Sequence, residues 1–172
     1  MSPTPGGHLV ATPGGRDLVL TRTFRAPVED VWASITEPER TARWFAGWTG
    51  EAGPGKTISA TLTFEQGAEP MDLTIDACEP PHHLAVSSVD AYGAWRLEAH
   101  LAERDGVTEL RFTHHLDPEA NVAEVGPGWE YYLDNLVASR DGSPMPDFDD
   151  YYPAQAAHYE GLALGAAPAE PT

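Results

Sequence analysis

The spacing of apolar residues changes at Lys56, and this change limits the fold more than any other feature of the 172-residue sequence. Before Gly47, the segment PVEDVWASI places apolar side chains three and four residues apart, which is typical of an amphipathic helix. Thr36 as a cap and Pro38 near the start indicate a second short helix after it. After Lys56, apolar and polar residues alternate as they do in half-buried strands. Five such segments follow one another with short turns between them. The order predicts an α+β fold that contains an antiparallel meander of five strands.

Two short helices are predicted before this meander. A first strand at residues 18–25 ends at Pro27, and proline suits the first turn of a helix. That first helix is expected to bury Trp32 in the core. A second helix follows, and we expect it to carry Trp44 and Phe45.

A long helix is predicted after the meander. The segment GPG at residues 126–128 indicates its start, because proline favours the first helical position. Gly142 indicates its end, because glycine readily adopts the left-handed conformation that follows many helices. Its apolar stripe contains Trp129, Leu133 and Leu136, with Tyr132 beside it.

The division of the chain follows from these segments. Residues 1–16 are rich in proline and glycine and are expected to form a flexible leader. Residues 17–142 form one predicted domain. Residues 143–172 are interpreted as a C-terminal extension with one short helix and a frayed end.

The charge of the chain excludes several classes of partner. There are 27 acidic against 10 basic side chains, which gives a formal net charge of −17. Such a charge repels phosphate backbones and anionic membrane surfaces, so we expect neither nucleic acid nor a membrane as partner. The N-terminal segment lacks the features of a signal peptide, and no apolar run reaches 18 residues. A cytoplasmic location is therefore expected.

The stretch GEAGPGKT at residues 50–57 fits the P-loop pattern G-x-x-x-x-G-K-[ST]. A P-loop binds phosphate because a strand leads through the loop into the N-terminus of a helix. Here a helical segment precedes the stretch, and the alternating run ISATLTF follows it. The sequence therefore predicts a turn into a strand, no nucleotide-binding residues, and Lys56 at the entrance of that strand in solvent.

The histidines and the cysteine are the candidate reactive or metal-binding groups of the chain. Cys78 is the only cysteine, so a cysteine-based zinc site is excluded. His114 lies on the apolar face of its strand and could orient a ligand or act as a general base, although a core histidine bonded to a neighbour is favoured. His115 faces the opposite side. His82 and His83 are interpreted as exposed loop residues, and we predict no metal site and no cofactor.

Four motifs in order resemble the SRPBCC superfamily of START-like, birch-pollen-allergen-like proteins. They are FRAPVEDVWASITEPERTARWF, CEPPHHLAV, GVTELRFTHH and GPGWEYYLDNL, and the similarity covers about residues 18–140. Within the superfamily they are similar to the homologues of the activator of the heat-shock-protein ATPase (AHSA-like domains). GEAGPGKT stands where this family often has a paired-glycine stretch. The resemblance covers only the C-terminal part of chaperone-activating members, so a co-chaperone role does not follow from it.

The resemblance implies a helix-grip fold, in which a curved antiparallel sheet wraps around the long C-terminal helix and two short helices follow the first strand. It also implies a cavity between sheet and helix that binds a small apolar or aromatic ligand. The expected ligand-binding residues come from the sheet, from the helix and from the mouth of the cavity. They are Trp95, Leu97, Phe112 and His114 on the sheet, Trp129, Tyr132, Leu133 and Leu136 on the helix, and Trp44, Phe45 and Trp48 at the mouth.

Three functions are compatible with this fold. The preferred one is a non-enzymatic protein that binds a small apolar or aromatic molecule. The second is a cyclase- or hydrolase-type enzyme that uses His114 and Tyr132 for proton transfer. The sequence contains no recognisable set of catalytic residues that would support it. The third is a chaperone-associated interaction module, whose protein partner is unknown. The polar outer residues of the predicted sheet argue mildly against it.

Overall fold

A computed structural model describes residues 3–90 and 93–165 of the chain. Eight strands form one antiparallel sheet in the order β1-β2-β8-β7-β6-β5-β4-β3. Its strands are β1 (His8–Thr12), β2 (Gly15–Phe24), β3 (Ala46–Thr49), β4 (Thr57–Leu62), β5 (Met71–Glu79), β6 (His83–Asp90), β7 (Gly93–Arg104) and β8 (Val107–Leu116). The helices are α1 (Val28–Thr36), α2 (Pro38–Thr41), α3 (Val122–Asp141) and α4 (Ala156–Gly165).

This architecture is the predicted α+β helix-grip fold, with the five-strand meander present as β4 to β8. The long helix α3 packs on one face of the sheet, where Leu133 and Leu136 join the same buried cluster as Leu97 and Phe112. Asp105 and Gly106 form the turn between β7 and β8, and both residues have a positive φ, of 54° and 78°. That geometry matches the twist of a two-residue hairpin.

Two edge strands were missed by the sequence analysis. Residues 8–16, which were predicted to be part of a flexible leader, form β1 and the start of β2, joined by the two-residue turn Pro13-Gly14. β3 lies at the break around Gly47, where the second helix was expected to end. α2 ends at Thr41, and Trp44 and Phe45 follow it in a turn. Both strands are short, so their alternation is too brief to stand out in the sequence.

The start of the long helix was also predicted wrongly. α3 begins at Val122 with Asn121 as its N-cap, so Pro127 lies inside the helix. Val122 is buried in the core, and this contact favours the additional turn. The helix ends as expected, because Gly142 adopts the left-handed conformation at φ 73°.

The C-terminal extension packs against α3, and Tyr159 of this extension belongs to the core cluster. Tyr151 and Tyr159 are almost fully buried there, and α4 is the short helix expected in this region. Residues 166–172, for which a frayed end was predicted, lie outside the described residues.

A set of buried polar groups holds these parts together, and we call it the Glu130 network. The Glu130 carboxylate, which is 1% exposed, accepts hydrogen bonds from Arg22, from Tyr159 and from the backbone N–H groups of Gly6 and Gly7. Arg22 also pairs with Asp134, which in turn accepts a hydrogen bond from the Tyr151 hydroxyl. The members of the network are Arg22, Glu130, Asp134, Tyr151 and Tyr159.

Candidate ligand cavity

A cavity of about 250 Å³ lies between the sheet and α3. Seven of the predicted ligand-binding residues line it: Trp44, Phe45, Trp48, Leu97, Phe112, Trp129 and Leu133. Further apolar residues complete the walls: Ile35, Ala46, Ile58, Ala60, Leu73, Ile75, Leu84, Val86, Ala99 and Leu110.

Three tryptophans give the cavity aromatic walls, and their polar N–H groups are bonded to the protein. Trp44 Nε1 donates to the carbonyl oxygen of Ser34 at 2.8 Å, and Trp48 Nε1 donates to that of Thr36 at 3.0 Å. Trp129 Nε1 donates to Nδ1 of His114 at 3.0 Å. Because each indole N–H already has a partner, the rings present their apolar surface to a ligand.

His114 points toward α3, as predicted, but it is not among the residues that line the cavity. It is 3% exposed and stacks on Trp95 at 5.2 Å between ring centroids. Burial, with smaller effects from His115 and Arg96, lowers its pKa from 6.5 to about 4. His114 is therefore neutral at pH 7, with Nδ1 occupied as an acceptor, and it matches the core-histidine alternative of the sequence analysis.

Three other predicted ligand residues lie outside the cavity lining: Trp95, Tyr132 and Leu136. The indole N–H of Trp95 donates to Asp90 at 2.8 Å. The Tyr132 hydroxyl contacts Glu65 at 3.4 Å, and burial together with this carboxylate raises the pKa of Tyr132. Leu136 is fully buried in the core. A position on the correct strand face or helix stripe thus did not separate lining residues from core residues.

Cys78 is a lining residue that the sequence analysis did not predict. The strict alternation of β5 places Ala77, rather than Cys78, on the same face as Ile75. A β-bulge between Ile75 and Ala77 shifts the register, so Cys78 pairs with the lining residue Leu84. One extra residue in a strand reverses the face of every residue that follows it.

The glycine-rich stretch at residues 50–57 is a turn into β4, as predicted, and no helix follows it. Gly50 and Gly55 have φ values of 118° and 80°, which glycine adopts without strain. Lys56 pairs with Glu51 at 3.2 Å, and half of its side chain is exposed. The turn also contributes Ala52 and Gly53 to the cavity lining, a role that its sequence did not suggest.

The polar side chains in the lining have partners elsewhere in the protein. The Thr41 hydroxyl donates to the carbonyl oxygen of Pro38. Glu98 belongs to the lining, but its carboxylate contacts His83 and His115. Among the described residues, the lining thus contains no histidine and no carboxylate with open bonding capacity toward the cavity. Such an arrangement suits binding of an apolar molecule better than proton transfer.

The opposite face of the sheet carries a cluster that the sequence analysis missed. His83 is not a loop residue: it begins β6, is half-buried, and faces His100 across the β6–β7 pair. With Glu98, these two histidines place one potential metal-ligating atom each within 4.8 Å of one another. The sequence analysis predicts no metal site and does not identify this cluster. Its three members come from two strands, so the spacing of residues along the sequence does not indicate the cluster.

One protein-family model and several solved structures are similar to this chain. A family model described as "Activator of Hsp90 ATPase homolog 1-like protein" matches residues 25–139. The crystal structure of CalU16 from Micromonospora echinospora is 28% identical, with a TM-score of 0.74, and the match covers 93% of this chain and 97% of that one. A search of curated proteins finds no match.

Two further structures share the fold. The solution structure of the same CalU16 protein is 25% identical with a TM-score of 0.73, covering 97% of this chain and all of that one. The protein encoded by gene BPP1335 from Bordetella parapertussis is 24% identical with a TM-score of 0.69, covering 99% and 97% of the two chains. Along the part of the chain that is described, no helix is both long and apolar enough to span a membrane.

Proposed function

This chain belongs to the family of activator of Hsp90 ATPase homolog 1-like proteins, and we propose that it binds one compact, uncharged apolar or aromatic molecule in the cavity between the sheet and α3. The observation that carries the proposal is the cavity itself, about 250 Å³ of space walled by aromatic and aliphatic side chains.

The volume defines the size of the ligand. An apolar cavity of about 150 Å³ in another protein is large enough to bind benzene. The cavity described here is larger, at about 250 Å³, and it lies near the lower limit of small-molecule sites. It therefore suits a molecule of one to three fused or linked rings, or a short branched aliphatic chain.

The chemistry of the walls defines the polarity of the ligand. The indole N–H groups of Trp44, Trp48 and Trp129 are bonded within the protein, so they offer no hydrogen bond to a ligand. A charged ligand would lose its hydration without gaining a partner, which is costly in an apolar site. The chain's net charge of −17 disfavours anions in addition.

The enzymatic alternative receives less support from the same geometry. A cyclase- or hydrolase-type reaction would need a proton donor or acceptor within hydrogen-bond reach of the ligand. His114 holds its Nδ1 against Trp129, and the Tyr132 hydroxyl is directed to Glu65. Neither group lines the cavity.

The proposal is tested by filling the cavity from the sheet side. Ala99 of β7 lines the cavity, and Ala102 of the same strand is exposed. We expect Ala99→Phe to weaken binding of the uncharged fluorescent probe N-phenyl-1-naphthylamine at least about tenfold, because the new ring occupies the ligand's space. Ala102→Phe adds the same ring outside the cavity, so its affinity should equal that of the unmodified protein.

Naphthalene serves as a second, smaller probe in a thermal-unfolding assay. Its binding should raise the melting temperature of the unmodified protein and of Ala102→Phe, because only the folded state has the cavity. The proposal is wrong if neither probe binds the unmodified protein, or if Ala99→Phe folds and binds both as well as Ala102→Phe does.

A further inference from the structure

The sheet face opposite α3 carries a group of histidines and carboxylates away from the apolar cavity. His115 lies there because its neighbour His114 points toward Trp129 and successive strand residues face opposite sides. Its Nε2 lies 2.5 Å from Oε2 of Glu98, and the other Glu98 oxygen lies 2.8 Å from Nε2 of His83. Glu98 therefore joins histidines from the strands on both sides of β7.

Three residues of this group have the arrangement of metal ligands. His83 and His100 are directly opposite each other on β6 and β7, and their rings stack at 4.4 Å between centroids. Glu98 lies two residues before His100 and so on the same face of β7. One nitrogen from each histidine and one carboxylate oxygen lie within 4.8 Å of one another. Small side-chain rotations would bring these atoms to the distances of about 2.0–2.2 Å found around zinc.

We propose that His83, Glu98 and His100 bind a divalent transition-metal cation such as Zn²⁺ on the outer face of the sheet. Two imidazole nitrogens and one carboxylate oxygen form a ligand set typical of zinc sites with an open fourth position, which water can occupy.

Neighbouring groups would position these ligands. Oε2 of Glu98 is held by His115, and Nδ1 of His115 is held by Asp17 at 2.7 Å. Nδ1 of His83 lies 3.8 Å from Oε1 of Glu79. Carboxylates and histidines that orient the ligands in this way are typical of the outer shell of metal sites, where their removal costs about 10- to 100-fold in affinity.

The charges around the site favour a cation. Glu79 and Glu98 flank His83 directly, and Asp17 adds a third carboxylate through His115. Arg111, the partner of His100 on β8, acts against this. The acidic background of the chain, with its net charge of −17, adds a long-range attraction for cations.

The test is calorimetric titration of the chelator-treated full chain with ZnCl2 near pH 7.5. We expect one zinc ion per chain, and an affinity at least about tenfold lower in His83→Gln and in His100→Gln. His8→Gln is the matched control, because His8 is an exposed histidine on β1 outside the cluster, and it should bind zinc unchanged. His115→Gln tests positioning and should still bind one ion, about tenfold more weakly.

X-ray absorption of the zinc-loaded, unmodified protein gives an answer that does not depend on the folding of any variant. The expected spectrum shows two imidazoles at about 2.0–2.1 Å and oxygen in the remaining positions. Absence of zinc binding, a spectrum without paired imidazoles, or full zinc affinity in the double variant His83→Gln/His100→Gln would each overturn the proposal. Because the cavity lies on the other face of the sheet, the naphthylamine probe should bind these variants normally, which separates this test from that of the cavity.

Discussion

The two sides of α3 show how one helix can combine an open cavity with a firmly packed fold. On the cavity side, Trp129 and Leu133 face empty space that has no polar partner to offer. On the other side, Glu130 and Asp134 belong to the Glu130 network, where each carboxylate has charged or hydrogen-bonding partners. Trp129 and Glu130 are consecutive, as are Leu133 and Asp134, and the two pairs lie one turn apart. Because the two sides of α3 have different contacts, we expect that ligand binding and stability can be changed independently.

The two sides of α3 differ in the interactions that a substitution removes. A cavity is space without contacts, so filling it alters binding and need not weaken the fold. A buried ion pair has lost its hydration, so removing one partner leaves an uncompensated charge and commonly costs about 3–5 kcal/mol. The network should therefore respond much more strongly to substitution than the cavity.

The largest effect is expected for Arg22→Ala. Arg22 pairs with both Glu130 and Asp134, and Glu130 is 1% exposed. The variant should lose about 3–5 kcal/mol of unfolding free energy in urea, because Glu130 would remain buried without its cation. Binding of N-phenyl-1-naphthylamine to the folded fraction should not change.

Arg25→Ala is the matched control, because Arg25 is exposed and directly follows β2, the strand that contains Arg22. It should unfold within about 0.5 kcal/mol of the unmodified protein. Equal losses in both variants, or loss of probe binding by folded Arg22→Ala, would show that the two sides of α3 are not independent.

An intermediate effect is expected at His114 as pH changes. Its folded pKa is about 4, below the value of 6.5 for the free side chain, because burial disfavours the charged ring. Between these values the unfolded chain binds the proton and the folded chain does not, so stability falls as pH decreases from 6.5 toward 4. At pH 5, one and a half units below about 6.5, the loss attributable to His114 is about 2 kcal/mol.

His114→Gln removes this titration and leaves the other ionisable groups in place. The measurement is the unfolding free energy of both proteins at pH 7 and pH 5. The difference between the two pH values should be about 2 kcal/mol smaller in the variant. Identical differences would mean that His114 is not buried in its neutral form, and the cavity side would then be more polar than described.

The smallest effect is expected for Tyr151→Phe. The Tyr151 hydroxyl donates to Asp134 at 2.7 Å, and burial together with this hydrogen bond raises the pKa of Tyr151. Asp134 keeps its pairing with Arg22 in the variant, so the loss should be about 1–2 kcal/mol in thermal or urea unfolding. Tyr152→Phe, next to it and 37% exposed, should change stability by less than about 0.5 kcal/mol. Equal effects would place Tyr151 outside the network.

The sequence predicted the fold well because long alternating segments dominate it. β4 to β8 extend over many residues, and the Asp105-Gly106 turn has only a few conformations open to it. The short edge strands β1 and β3 were missed, since four or five residues carry little periodicity. Gly126-Pro127-Gly128 misled because proline usually begins a helix, whereas tertiary contacts of Val122 extend α3 by more than a turn.

The cavity could be predicted only in part. Alternation identified the inward face, and seven of the predicted residues do line the cavity. It could not show that His114 and Leu136 are covered by their neighbours, or that a bulge turns Cys78 inward. It also could not show the His83, Glu98 and His100 cluster, because that contact depends on which residues lie opposite each other across two strands. Whether the predicted residues contact a ligand is the question that the Ala99→Phe experiment addresses.

The position of β2 in the sheet has a consequence for how the chain reaches this structure. β2 pairs with β8, so Leu20 lies opposite Phe112 although 91 residues separate them along the chain. Glu130 likewise accepts hydrogen bonds from Gly6, near the N-terminus, and from Tyr159, near the C-terminus. Until β8 has folded, β1 is the only neighbouring strand with which β2 can pair. Domains dominated by such distant contacts fold on the millisecond-to-second scale, so closure of the sheet at β2 and β8 is expected to be a late, rate-limiting event.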